Sequence, residues 1–162
     1  FHFLKALYEK LSQHKKFRLT TYSDYLEICT EKKTLTDIVA GSWVYGSFST
    51  WIGEKDKNRA WDMLVEAKHV YDKVIQSKTL SEAEFKAAEM QLATCESSDW
   101  FWWFGEYNSS ESVAAFDEQY RLHLSNLYQL LKVAPPEYLG HAFTFGTGDP
   151  AMGGVMLPGQ HN

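Results

Sequence analysis

SVAAFDEQYRLHLSNLYQLLK, residues 112–132, sets Val113, Phe116, Tyr120, Leu124, Leu127 and Leu131 at steps of three and four. That period returns one face on each turn of an α-helix. It predicts a helix over about residues 111–132 with a continuous apolar seam, stopped by Pro135-Pro136. Upstream, Ala60, Met63, Leu64, Ala67, Val70, Tyr71 and Val74 form a second stripe, for a helix over 56–77 capped by Asp56. Between the two, Ser81-Glu82-Ala83-Glu84 is a capping-box pattern, in which Ser81 and Glu84 satisfy each other's backbone donors. It opens a helix to about Cys95 with Phe85, Ala88, Leu92 and Cys95 inward. Three long helices on short connections pack antiparallel.

The flanks are less regular. Leu4, Leu7, Tyr8 and Leu11 predict a helix over 3–15, and Phe17 to Thr21 alternates as a short strand does. Ser23 caps a further helix with Tyr25, Leu26, Ile28 and Cys29. Thr34 to Gly53 reads as a helical turn and then an irregular aromatic loop, with Trp43 and Trp51 set among Gly41, Gly46 and Gly53. From Glu137 onward the chain is irregular and rich in Gly and Pro. The expected fold is mainly all-α: a bundle of five or six helices, one short strand and an irregular tail.

Composition narrows the function classes. The chain has 162 residues and a net charge of −5, which argues against nucleic acid as a partner, since phosphate binding needs clustered Lys and Arg. The basic group His14-Lys15-Lys16 with Arg18 is too short for that and reads as a solvated face. No apolar run is long enough to span a bilayer, and no export signal is visible, which points to the cytoplasm. Cys29 and Cys95 lack metal-site spacing and read as reduced thiols, with a disulfide as the lesser alternative. His2, His14, His69, His141 and His161 have no metal spacing, so no metal or other cofactor is implied. The chain begins with Phe, as expected of a fragment or a processed product.

The chemistry concentrates in Glu96 to Gly105, where Trp100, Phe101, Trp102, Trp103 and Phe104 follow one another. Five consecutive rings cannot all face one core, because 100, 103 and 104 share a helix side and 101 and 102 point elsewhere. Some must meet a ligand or another surface. An indole stacks on the apolar face of a pyranose while nearby carboxylates hold its hydroxyls. Asp99 is either the cap of the short aromatic helix or a sugar-hydroxyl acceptor. Trp43 and Trp51 either line the same groove or pack the core, whereas Trp61, on a regular helix, reads as core. Arg59 reads as a helix-surface ion pair. Asp117 and Glu118 read as acids favourable near a helix start, and His123 as a partly buried histidine beside the seam.

The run Ser98-Asp99-Trp100-Phe101-Trp102-Trp103-Phe104-Gly105 resembles the last sequence signature of glycoside hydrolase family 57, in its amylopullulanase-like and α-amylase-like members. Gly41-Ser42-Trp43, Trp51-Ile52-Gly53 and Lys57-Asn58-Arg59-Ala60-Trp61 are similar to an earlier stretch of that family. Phe116-Asp117-Glu118 with Arg121, His123 and Leu124 resembles its next helix. The blocks keep the family's order over about residues 3 to 139. Gly105-Glu106-Tyr107-Asn108 departs from the acidic residues and His that often follow the run, which leaves the subfamily open.

The resemblance implies a retaining α-glucan hydrolase or glucanotransferase whose two catalytic carboxylates, about 5–5.5 Å apart in such enzymes, sit in an amino-terminal distorted (β/α)7 barrel. Residues 1–22 are then a remnant of the end of that barrel, 23–139 the helical domain that closes over its mouth, and 140–162 an irregular tail. No catalytic residue is expected within this chain. Asp99, Trp100, Trp102, Trp103, Trp43 and Trp51 are the expected substrate contacts. The expected partners are an α-glucan, the missing barrel and, where the barrel is absent, a second copy of the chain. The alternative is a stand-alone carbohydrate-binding or structural helical module.

Overall fold

The computed structural model describes residues 1–148. They form six α-helices: α1 (His2–Ser12), α2 (Tyr22–Ile28), α3 (Lys55–Ser77), α4 (Glu82–Cys95), α5 (Ser98–Trp103) and α6 (Ser110–Leu130), then a short 3-10 helix at Glu137–Gly140. The chain divides into two compact units at Val39/Ala40, whereas the sequence reading set the boundary at residue 22/23. The fold is all-α, as the periodicity predicts. The expected strand over Phe17 to Thr21 is not formed, and the one β-type pairing among the described residues is an isolated parallel bridge between Ser109 and Gly148. A strand needs a neighbour to pair with, and alternation alone does not provide one.

The first unit, Phe1–Val39, carries α1 and α2, and neither helix buries a residue. Thr21 rather than Ser23 caps α2, its side chain accepting the Asp24 N–H.

The second unit is built around α6, which packs against α3, α4, α5 and the 3-10 helix. Val113, Tyr120, Leu124 and Leu127 on its seam are fully buried. Tyr120, Leu124 and Leu127 join one core with Ala60, Met63, Leu64 and Ala67 of α3, and Ala88, Leu92 and Cys95 of α4. The Tyr120 hydroxyl donates to the Ala60 carbonyl at 2.8 Å, which ties α6 to α3 inside the core. The capping box at α4 forms as the pattern requires: the Glu84 N–H donates to Ser81 Oγ, and the Ser81 N–H to Glu84 Oε2. At α3 the cap is Glu54, not Asp56; its carboxylate accepts the Asp56 and Lys57 N–H groups. The longer acid reaches the first-turn donors from two residues further back.

α6 closes before the two prolines. Lys132 takes a left-handed conformation, φ +60°, and the Val133 N–H returns to the Tyr128 carbonyl. Asp117 lies two turns into α6, not at its start, so it does not meet the helix dipole as expected. It is buried and accepts two bonds from the Arg121 guanidinium, at 2.7 and 2.9 Å, and the Phe143 N–H at 3.1 Å. Arg121 also donates to the Leu139 carbonyl. This pair holds the chain after the 3-10 helix against α6.

That anchor gives structure to part of the expected tail. Phe143 packs edge-on against Phe104, and Thr144 is buried with its hydroxyl accepting the Gly105 N–H. Gly148 runs so close to the 107–108 backbone that a Cβ there would lie 2.2 Å from the Tyr107 carbonyl oxygen. The remainder of the tail reading, 149–162, lies outside the described residues. Leu124→Ala should lower unfolding free energy by about 2–5 kcal/mol, because Leu124 is fully buried between the long helices. Urea denaturation checks this, and a loss below about 1 kcal/mol would contradict α6 as the centre of the core.

Candidate functional site

α5 is six residues long and too short to persist unaided. It is held at its carbonyl end by two buried side chains from elsewhere. Lys57, in the first turn of α3, is 1% exposed, and its ammonium donates to the carbonyls of Thr50 at 2.7 Å, of Phe101, and of Trp102 at 3.5 Å. Asn108, equally buried, donates through Nδ2 to the Trp102 and Trp103 carbonyls at 3.2 and 2.9 Å. Gly105 ends the segment at φ +110°, a conformation suited to glycine, with the Tyr107 ring where a Cβ would stand.

The same stretch of α3 pins the loop before it. The Asn58 side chain exchanges two hydrogen bonds with the Gly53 backbone, and Trp61 Nε1 donates to the Trp51 carbonyl at 3.0 Å. Ser42 Oγ donates to the Ser47 carbonyl at 2.6 Å and closes the loop on itself. The loop over 41–54 therefore has a built shape and a fixed position beside α5.

The aromatic run divides three ways. Phe101 and Phe104 are fully buried, and Phe101 lies flat on Trp61 with centroids 3.9 Å apart. Trp100 and Trp103 follow α6: Trp103 stacks on Phe116 at 5.0 Å, while Trp100 packs on Phe116, Tyr120 and His123. Trp100 Nε1 donates to the Thr94 carbonyl, so this indole is committed to the fold. Trp102 turns to the loop, parallel to Trp43 at 6.1 Å and edge-on to Trp51 at 5.6 Å. Trp43 itself is 86% exposed. An almost free indole thus rests on a buried one, braced by a third.

Of the six expected contacts, the structure brings Trp43, Trp51 and Trp102 together and places Trp100 and Trp103 along α6. Asp99 is exposed in the first turn of α5 and accepts a bond from Ser97 Oγ at 3.3 Å. The α5 N-cap position is Ser97, without a side-chain cap bond, so Asp99 does not serve as the cap. A cleft of about 250 Å³ lies apart, at the α3–α4 turn among Val74, Ile75, Leu80 and Phe85, and shares no residue with this cluster.

Lys57 and Asn108 escaped the sequence reading as organisers of the site. A signal existed for Lys57: it continues the buried stripe of Ala60, Leu64, Ala67 and Tyr71 one turn back, at a position where a lysine must find partners. Three buried polar atoms lack a partner among the described residues, Thr50 Oγ1, Trp102 Nε1 and Tyr107 OH. All three belong to residues that touch the Lys57 ammonium, the Tyr107 ring lying 5.1 Å from it. Burial pushes Lys57 down to about 8 against the pull of Glu54, and pushes Tyr107 up to about 12.

Comparison with family models, with curated proteins and with solved structures finds no match to this chain.

The depressed Lys57 value sets a pH dependence. Between about 8 and the ordinary 10.5 the unfolded chain holds a proton that the folded one has released, so stability rises with pH there. This contribution is complete above 10.5, is lost as pH falls to 8, and is flat below. Cys95 opposes it, because burial raises its thiol from 9 to about 12 and the unfolded thiolate gains above 9. The difference between the native chain and Lys57→Met removes the thiol's part. That difference should climb by up to about 1.4 kcal/mol per pH unit across the window. Denaturation series at pH 7.5, 8.5 and 9.5 measure it, and parallel curves for the two proteins would refute the burial argument.

Proposed function

We propose that this chain is the helical part of an α-glucan-acting glycoside hydrolase or glucanotransferase of family 57, and that it contributes saccharide contacts rather than catalytic groups. One observation carries the reading: Trp43 is 86% exposed, yet lies parallel to the buried Trp102, which Trp51 meets edge-on. An isolated exposed indole is ordinary. One stacked on a second, buried indole still offers its outer π face, which suits the C–H face of a glucose ring. The Asp99 carboxylate is exposed and, among the described residues, accepts a bond from its neighbour Ser97, which leaves oxygen lone pairs for a hydroxyl. Trp100 and Trp103 serve this reading through α6, as the support of α5.

The family resemblance of residues 41–61, 98–105 and 116–124 supports the same conclusion. On this reading the nucleophile and the acid/base of a retaining mechanism belong to a barrel that packs with this chain. Tyr45, Phe48 and Ile52, half-exposed on the loop that carries Trp43, are the contacts proposed for it. A cytoplasmic setting belongs to the proposal, in keeping with the unpaired thiols of Cys29 and Cys95. No described helix is long and apolar enough to cross a membrane.

The same loop supports a second reading, in which Trp43 with Tyr45, Phe48 and Ile52 is a protein interface and nothing more. Calorimetric titration of maltoheptaose separates the two. The glucan reading expects millimolar or tighter binding that Trp43→Ala weakens at least tenfold with no change in thermal midpoint, since that ring is almost wholly in solvent. Undiminished binding by Trp43→Ala, or none by the native chain, favours the interface.

A further inference from the structure

The Lys57 ammonium joins three segments at one point: α3 that carries it, the 41–54 loop through the Thr50 carbonyl, and the end of α5 through the carbonyls of Phe101 and Trp102. We propose that Lys57 is the positioning residue of the aromatic platform, setting the Trp43–Trp102 stack by holding the loop and α5 in register through their main-chain carbonyls. The geometry separates this role from ordinary core packing. A lysine stem in that place needs only apolar neighbours, whereas here the three oxygens within hydrogen-bond reach of the ammonium are backbone carbonyls of the two segments that carry Trp43, Trp51 and Trp102.

The choice of acceptors matters. A carboxylate partner would fix the lysine to one side chain, free to move with it. Carbonyls fix the lysine to backbone, and the residues concerned are Trp102 itself and the immediate neighbours of Trp51 and Trp102. A displacement of the ammonium is therefore passed to the rings with little slack. Glu54, the acid whose charge acts on it, accepts the Asp56 and Lys57 N–H groups with its carboxylate. Asn108 secures the α5 end from the other side but does not reach the loop. Among the described residues, Lys57 is the one whose side-chain hydrogen bonds reach both α5 and the loop.

The test compares Lys57→Met, Lys57→Gln and the exposed-site control Lys73→Met with the native chain, by far-ultraviolet and near-ultraviolet circular dichroism and by maltoheptaose titration. Lys57→Met is expected to keep its helical far-ultraviolet signal, lose at least half of the near-ultraviolet tryptophan signal and weaken saccharide affinity tenfold or more. Lys57→Gln, a shorter amide donor, should recover part of both, and Lys73→Met should match the native chain. A folded Lys57→Met with the native near-ultraviolet spectrum overturns the proposal. If Lys57→Met does not fold, nitrogen-15 NMR of the intact chain decides: one lysine ammonium protected from exchange, with cross-peaks to Trp102 and Tyr107, is expected, and only freely exchanging ammonium groups would overturn it. The saccharide arm rests on the glucan reading and the spectroscopic arms do not. A native chain that ignores maltoheptaose thus sinks that reading while the near-ultraviolet comparison still judges Lys57.

Discussion

A buried ammonium without a carboxylate at its side is among the more costly things a protein can hold, and Lys57 is one. It is tolerated because three carbonyls and the face of Tyr107 take the place of water around it. Hydrogen bonds to a charged group contribute about 1.5–3 kcal/mol each, enough to offset much of the desolvation. The constraint acts in both directions. The charge requires the loop and the end of α5 to stay where their carbonyls can reach it, and a six-residue helix with unsatisfied carbonyls requires the donors. Removal of either leaves buried polar groups without partners.

The division of the aromatic run follows from that clasp and from α6. Once the carbonyl end of α5 is fixed, helical geometry sends Phe101 into the core, Trp100 and Trp103 along Phe116 and His123, and Trp102 towards the loop. Phe104, extended just past the helix and so not on the side of Trp100 and Trp103 that a continued helix would give it, joins Phe101 in the core. Each ring then has an aromatic partner, and such pairs contribute about 0.5–1.5 kcal/mol beyond the area they bury. Trp43 is the most exposed of these indoles, and it lies on the loop and not on α5, whose Trp100 and Trp103 are half-buried. The signature is accordingly mostly scaffold, and the ring offered to solvent comes from a different part of the sequence.

This explains what was legible in the sequence. The stripes of α3, α4 and α6 and the Ser81–Glu84 box were readable because each depends on residues within a few positions of one another. Phe17 to Thr21 misled because pairing is a property of two segments, and the second does not exist among the described residues. Asp117 was read through its place near a helix start, whereas its environment is set by Arg121 one turn on and by Phe143 far along the chain. For the candidate site, residue types and rough location were visible, since Trp43, Trp51 and Trp102 do meet. Which of six side chains would face solvent was not, because that turns on contacts between distant positions, as with Lys57 and Trp102, 45 residues apart.

The unsatisfied polar atoms bear on the same region. Elsewhere in the second unit the buried polar side chains are paired: Asn108 with two carbonyls, Asp117 with Arg121 and Phe143, Thr144 with Gly105, Tyr120 with Ala60. Thr50, Trp102 and Tyr107 are the exceptions among the described residues, and all three surround Lys57. Each unpartnered buried group costs about 1–3 kcal/mol, so a fold refined only for stability would spread or remove them. Departures from local rules concentrate where a protein has another task than folding. Here they gather around Lys57 and Trp102, the indole on which the exposed Trp43 stacks.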